Sequence, residues 1–114
     1  MPSKVGVKGL KLKCRVGVDP GEELFDRTIF ADIIVELADE YKGGLGSTVS
    51  YSELAKKVRE RVEGKRFELI EDVAREIAGA IKEFRNVKSF KIKVVKPYVP
   101  EGASRAFFVY EEAC

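Results

Sequence analysis

The order in which hydrophobic periodicity changes along this chain constrains its fold more than any single motif. Apolar residues alternate, as in strands, in the first, second and fifth of six segments, recur at helical spacing in the third and fourth, and form a short continuous run in the sixth. The segments are residues 5–18, 29–37, 51–62, 67–84, 87–96 and 105–112. This β-β-α-α-β-β order lacks the strand–helix alternation of a parallel sheet. We therefore expect an α+β fold in which two helices cover one face of an antiparallel four-stranded sheet.

Local signals mark where some of these segments bend or begin. The alternation in the first strand changes phase between Val7 and Leu10, which predicts a one-residue bulge near Gly9. Ser50 and Glu53 have the spacing of a capping box, in which each side chain can bond the other's backbone N–H. The first helix is therefore expected to begin directly after Ser50.

Glycine and proline mark the connections. Residues 39–49 contain three glycines and no regular period, which predicts a loop. Gly64 is suited to end the first helix, and Pro97 and Pro100 are expected to break the third strand.

The sheet carries more apolar surface than two helices can cover. The fourth strand is apolar in both phases, and Phe30 and Ile34 lie on the otherwise polar face of the second strand. We expect other subunits to cover this surface, or sheets from several subunits to join edge to edge into a barrel. The alternative is an amphipathic sheet with a few exposed aromatic residues.

Composition excludes several classes of function. The 114 residues, expected to form a single domain over 1–114, include no histidine, which excludes histidine-based triads and histidine-ligated zinc. Catalysis would have to use Lys, Tyr, Glu, Asp or Cys. Cys14 and Cys114 are too far apart in sequence to suggest a disulfide framework or a metal clip, and no metal is expected.

Charge and hydropathy suggest neither a polyanion nor a membrane as a partner. The net charge is only +2 with interspersed signs, so nucleic-acid binding through Lys11, Lys13 and Arg15 is weakly supported. The N-terminus lacks an apolar targeting segment and no apolar run is long enough to span a membrane. A cytoplasmic location is expected.

Two charged residues stand out from the pattern. Lys96 falls on the inward phase of the third strand, directly before Pro97, so it either extends to the rim or lies in a cleft. Glu71 is in the first turn of the second helix, where an acid favoured by the helix dipole would be unremarkable.

Other candidates have simple structural explanations. Tyr51 lies on the apolar stripe of the first helix and could be a core aromatic residue. Glu22 and Glu23, after a Pro-Gly turn, would by default be solvated, and Cys14 would be an inert buried thiol.

Four short windows, in register along nearly the whole chain, give these residues a joint meaning. They are Gly17-Val18 followed by Glu22; Thr48-Val49-Ser50-Tyr51; Phe67-Glu68-Leu69-Ile70-Glu71 followed by Ala74, Ile77 and Ala78; and Val95-Lys96-Pro97 followed by Pro100. Together they resemble the dihydroneopterin aldolase family. The resemblance implies a tunnelling fold, with subunits joined into a tetrameric ring or an octamer and sites between subunits.

The family splits 7,8-dihydroneopterin by a retro-aldol step into 6-hydroxymethyl-7,8-dihydropterin and glycolaldehyde, with no cofactor. By motif position, the resemblance implies catalytic roles for Lys96, Tyr51 and Glu22, and substrate binding by Glu71, Ile70, Val49 and Thr48. Glu71 would hold the 2-amino and ring N–H edge of the pterin, and Tyr51 would come from the neighbouring subunit. Lys96 and a bound water would assist proton removal.

The chain departs from the family pattern near the end of the site that would hold the substrate's side chain. Arg27 stands where many relatives have Gln, and the run after Lys96-Pro97 is YVPEGAS, without the usual Ala-Pro-Ile-Pro. Two alternatives therefore stay open: an epimerase acting on dihydroneopterin or its triphosphate, and a noncatalytic pterin-binding or scaffold protein of the same fold.

Overall fold

The computed structural model describes residues 3–22, 24–99 and 102–114, so Glu23 and Pro100 lie outside the described residues. Its elements, in chain order, are β1 (Lys4–Val16), β2 (Arg27–Leu37), α1 (Tyr51–Val62), β3 (Arg66–Phe67), α2 (Ile70–Ile81), β4 (Val87–Lys96) and β5 (Ala106–Ala113). The expected α+β order is confirmed. A short 3₁₀ helix, Leu45–Ser47, lies within the expected loop.

The sheet has five strands in the order β3-β1-β2-β4-β5, so the expectation of four strands was wrong in this detail. Strand β3 pairs in parallel with the end of β1, while the other pairs are antiparallel. The connection between the helices is tied to β1 because Arg15 N–H donates to Lys65 O at 2.9 Å and Gly17 N–H to Phe67 O at 3.2 Å. Two residues are too few to show an alternating pattern in the sequence.

The predicted bulge in β1 is confirmed. The register with β2 shifts between Val7 and Leu10, and Gly9 has a φ of 68°, which a residue without a side chain adopts without strain. The Gly9 N–H donates to the Asp32 carboxylate at 2.7 Å. The bulge places the apolar residues of both halves of β1 on the face that the helices cover.

Both helices begin or end at the signals in the sequence, with one difference. The Ser50 hydroxyl accepts a hydrogen bond from Glu53 N–H at 3.3 Å, and Gly64 follows α1 with a φ of 75°. Helix α2 is shorter than the predicted 67–84. Phe67 belongs to β3, and the final turn tightens, with Phe84 N–H donating to Ile81 O at 3.0 Å.

The core lies between the helices and one face of the sheet, and alternate residues of β1, β2 and β4 are buried in it. The opposite face has no helix over it in the described part of the chain. It exposes Ile34, Phe107 and Val109, and Phe107 is 64% exposed. Among the described residues, no helix is long and apolar enough to cross a membrane.

Candidate functional site

A nearly buried ion pair joins the end of β4 to the turn that follows β1. The Lys96 Nζ lies 2.5 Å from the Glu22 Oε2, and the two side chains are only 13% and 7% exposed. Lys96 therefore occupies a recess, which decides between the two placements that the sequence left open. The default expectation that Glu22 is solvated was wrong, because the backbone around it folds over its carboxylate.

Gly17 and Asp19 contact the Glu22 carboxylate and fix its position. A Cβ on Gly17 would lie 2.2 Å from the carboxyl carbon of Glu22, so any side chain there would displace the carboxylate. The Asp19 N–H donates to Glu22 Oε1 at 3.1 Å. Burial acts to raise the pKa of Glu22, but the Lys96 ammonium and the Asp19 N–H outweigh it and lower the pKa. The Glu22 carboxyl group is therefore ionised near neutral pH.

Tyr98 covers this ion pair, and the sequence analysis did not identify it. Its ring centroid lies 5.2 Å from Lys96 Nζ and 4.7 Å from the guanidinium carbon of Arg27. Burial raises the pKa of the Tyr98 hydroxyl to about 12. Counting by two from Lys96 places Tyr98 on the same inward phase, which was the available signal.

Glu71 and Ile70 begin α2 at the same end of the sheet as the ion pair. The N–H of Gly17, which contacts the Glu22 carboxylate, donates to Phe67 O, and Phe67 is three residues before Ile70. Glu71 is exposed and lines a groove of about 520 Å³ between α2 and β5, together with Phe108 and Tyr110. The register pairs Lys96 with Ala106, two residues before Phe108 along β5. Glu71 and Lys96 therefore lie at the same end of the fold.

Tyr51, Thr48 and Val49 lie at the other end. The Asn86 side-chain amide donates to Ser47 O at 3.3 Å, which fixes this loop beside the first residue of β4, whereas Lys96 is the last. Ten residues of strand span about 30 Å. One chain therefore does not bring Tyr51 and Lys96 together.

The loop residues also differ from one another in burial. Tyr51 is 63% exposed, so its interpretation as a core aromatic was wrong, since it opens α1 before the apolar stripe reaches the core. Val49 is buried and Thr48 is partly buried.

Among the described residues, neither cysteine is a reactive centre. Burial, reinforced by Asp26 and Glu63, raises the pKa of the Cys14 thiol to about 11, so it stays protonated at neutral pH, and Cys114 is exposed and free. Within residues 3–22, 24–99 and 102–114, no three Cys, Asp or Glu side chains cluster in a way that could hold a metal ion.

Comparisons with known proteins agree with one another. A family model described as FolB, dihydroneopterin aldolase, matches residues 5–110. The dihydroneopterin aldolase of Bacillus subtilis (strain 168) is 33% identical over 102 residues, 85% of this chain and 84% of the relative. That of Streptomyces coelicolor is 32% identical over 103 residues, with the same coverage of each chain. A crystal structure of E. coli dihydroneopterin aldolase in complex with neopterin superposes with a TM-score of 0.85 at 27% identity, covering 97% of this chain and 99% of the other.

Proposed function

Because the chain belongs to the dihydroneopterin aldolase family, we infer that it is a lyase that cleaves 7,8-dihydroneopterin into 6-hydroxymethyl-7,8-dihydropterin and glycolaldehyde. This reaction is a step of folate biosynthesis. The observation that supports the catalytic assignment most directly is the sequestered Glu22–Lys96 ion pair, since a charged amine and acid in a recess can move protons.

The substrate supplies the electronic part of the reaction. Loss of the C2′ hydroxyl proton lets the oxygen electrons form the aldehyde carbonyl while the C1′–C2′ bond breaks. The electrons of that bond move into the C6=N5 imine of the ring and give an enol-like intermediate, and a proton added at C1′ completes the product. The protein must therefore hold the ring, remove one proton and return another.

We propose that the Glu22–Lys96 pair acts at the substrate's side chain. Lys96, with a bound water, would assist removal of the hydroxyl proton and stabilise the developing negative charge. Glu22 would contact the side-chain hydroxyls or that water. Their support is positional: both charged atoms are at the same end of the sheet as the first turn of α2, which carries Glu71.

The pterin ring would lie in the groove that Glu71 lines. Glu71 would accept hydrogen bonds from the 2-amino and ring N–H groups, a charge-assisted pair of the kind that recognises planar edges, with the backbone of Ile70 beside it. Glu71 is exposed to solvent in the groove, so the carboxylate is accessible to a ligand.

Val49, Thr48 and Tyr51 would come from a neighbouring subunit, with Tyr51 handling protonation of the intermediate. Their position near the first residue of β4, at the opposite end of the sheet from Lys96, supports a site that needs two copies. The edge strand β5 and the apolar face containing Phe107 suit sheets that join into a barrel. A homo-tetramer or homo-octamer is therefore proposed. The single-domain organisation over 1–114 and the cytoplasmic location stay predictions.

Incubation of the purified protein with 7,8-dihydroneopterin tests the function. Release of glycolaldehyde in equal amount to 6-hydroxymethyl-7,8-dihydropterin is expected, whereas an epimerase would yield only a side-chain isomer and a noncatalytic binder would yield neither. Lys96→Ala should abolish turnover and leave pterin affinity within about tenfold. Lys88→Ala, on the same strand but exposed, is the matched control. Normal turnover by Lys96→Ala would remove Lys96 from the mechanism.

A further inference from the structure

The Lys96 ammonium is held from two sides by different kinds of contact. Glu22 Oε2 lies 2.5 Å away, and the Tyr98 ring lies under the same nitrogen at 5.2 Å from its centroid. A lysine side chain has four rotatable bonds, so one ion pair does not define where its nitrogen lies. A ring face that attracts the cation adds a second restraint.

The Tyr98 ring is itself well fixed. The guanidinium carbon of Arg27 lies over the same ring, 4.7 Å from its centroid. The hydroxyl oxygen is buried and bonds to none of the residues that the structure describes. The ring face, rather than the hydroxyl, therefore makes the contacts that define this side chain.

We propose that Tyr98 is a positioning residue, whose ring face holds the Lys96 ammonium against Glu22 in the geometry that proton transfer requires. This inference rests on the proposed function in one respect, that Lys96 takes part in cleavage. Tyr98 lies two residues after Lys96, so its ring reaches the ammonium from the same segment of the chain.

Three substitutions at this position separate the ring from the hydroxyl and from simple packing. Tyr98→Leu removes the ring, Tyr98→Phe removes only the hydroxyl, and 3,4,5-trifluorophenylalanine keeps the shape of Phe but weakens the attraction of its face for a cation. Tyr41→Leu, at an exposed tyrosine in the 39–49 loop, is the matched control.

For glycolaldehyde release, Tyr98→Leu should lower kcat at least tenfold with KM within about threefold. Tyr98→Phe should keep kcat within threefold, and the trifluorinated variant should fall at least threefold below Tyr98→Phe. Equal kcat for the last two would overturn the proposal even if Tyr98→Leu fails to fold, because mere packing is insensitive to fluorination. Equal loss in Tyr98→Phe and Tyr98→Leu would assign the effect to the hydroxyl and also overturn it.

A second measurement needs no turnover and so separates this inference from the proposed function. In protein labelled with ¹⁵N-lysine, the Lys96 ammonium should give a slowly exchanging signal at neutral pH that Tyr98→Phe keeps and trifluorophenylalanine weakens. If wild-type protein shows this pattern but releases no glycolaldehyde, the proposed function fails and the positioning contact stands. An unchanged ammonium signal in the trifluorinated variant contradicts the contact.

Discussion

The Cα of Gly17 lies directly against the carboxylate of Glu22, so close that a methyl group there would be 2.2 Å from the carboxyl carbon. The carboxylate that pairs with Lys96 is therefore positioned by the absence of a side chain at Gly17, the residue that directly follows β1. Gly17 also has a φ of 136°, which L side chains rarely adopt.

Gly17→Ala should therefore displace Glu22 and lower turnover at least tenfold, with a loss of stability of about 1–3 kcal/mol from backbone strain. Gly9→Ala is the matched control. It also has a positive φ of 68° but open space around it, so it should lose stability and keep its activity. Turnover and denaturant unfolding of both variants check this. An active Gly17→Ala enzyme would show that the Glu22 carboxylate can move without consequence.

The lowered pKa of Glu22 predicts how stability depends on pH. A carboxyl group whose pKa is lower in the folded than in the unfolded protein stabilises the fold above its unfolded value, and this contribution is lost as pH falls through the folded value. The stability difference between wild type and Glu22→Gln should therefore narrow as pH falls from about 6 toward 3.

Urea unfolding of both proteins across this range measures the difference directly. Glu111→Gln, at an exposed acid of β5, is the control, and the difference between its free energy of unfolding and that of wild type should not narrow in this way. A difference between wild type and Glu22→Gln that stays constant with pH would mean that the Lys96 contact does not favour the ionised Glu22.

Glu71→Gln should weaken binding of 6-hydroxymethyl-7,8-dihydropterin by about 1.5–3 kcal/mol, the usual worth of a hydrogen bond to a charged group. Glu68→Gln is the control, because Glu68 is a nearby exposed acid that the groove does not include. Calorimetry gives both affinities. Equal affinities for wild type and Glu71→Gln would assign the pterin edge to other groups.

Sequence periodicity was sufficient to predict the strands that bury one face. Their alternate positions, such as Leu12, Ile29 and Ile92, must all reach the same core. It was insufficient for β3, whose pairing depends on where β1 ends in space. The burial of Glu22 could not be predicted from the sequence either, because a Pro-Gly turn alone favours solvated charges. Tyr98 was missed because Pro97 was interpreted only as the end of a strand.

The separation of Tyr51 from Lys96 within one chain leads to a complementation test. If each site combines Lys96 of one subunit with Tyr51 of the next, Lys96→Ala and Tyr51→Phe chains assembled together form some sites that contain both natural residues. Random assembly into closed rings makes about a quarter of the sites intact in an equal mixture.

Tyr51→Phe alone should slow chemistry more than binding, and Lys96→Ala alone should be inactive. Subunits unfolded, mixed in equal amounts and refolded together should recover activity toward about a quarter of wild type, whereas proteins refolded separately and then mixed should not. Light scattering of the refolded material establishes that rings have formed. No recovery from refolded rings would place both residues in the same subunit's site, against their positions at opposite ends of one chain's sheet.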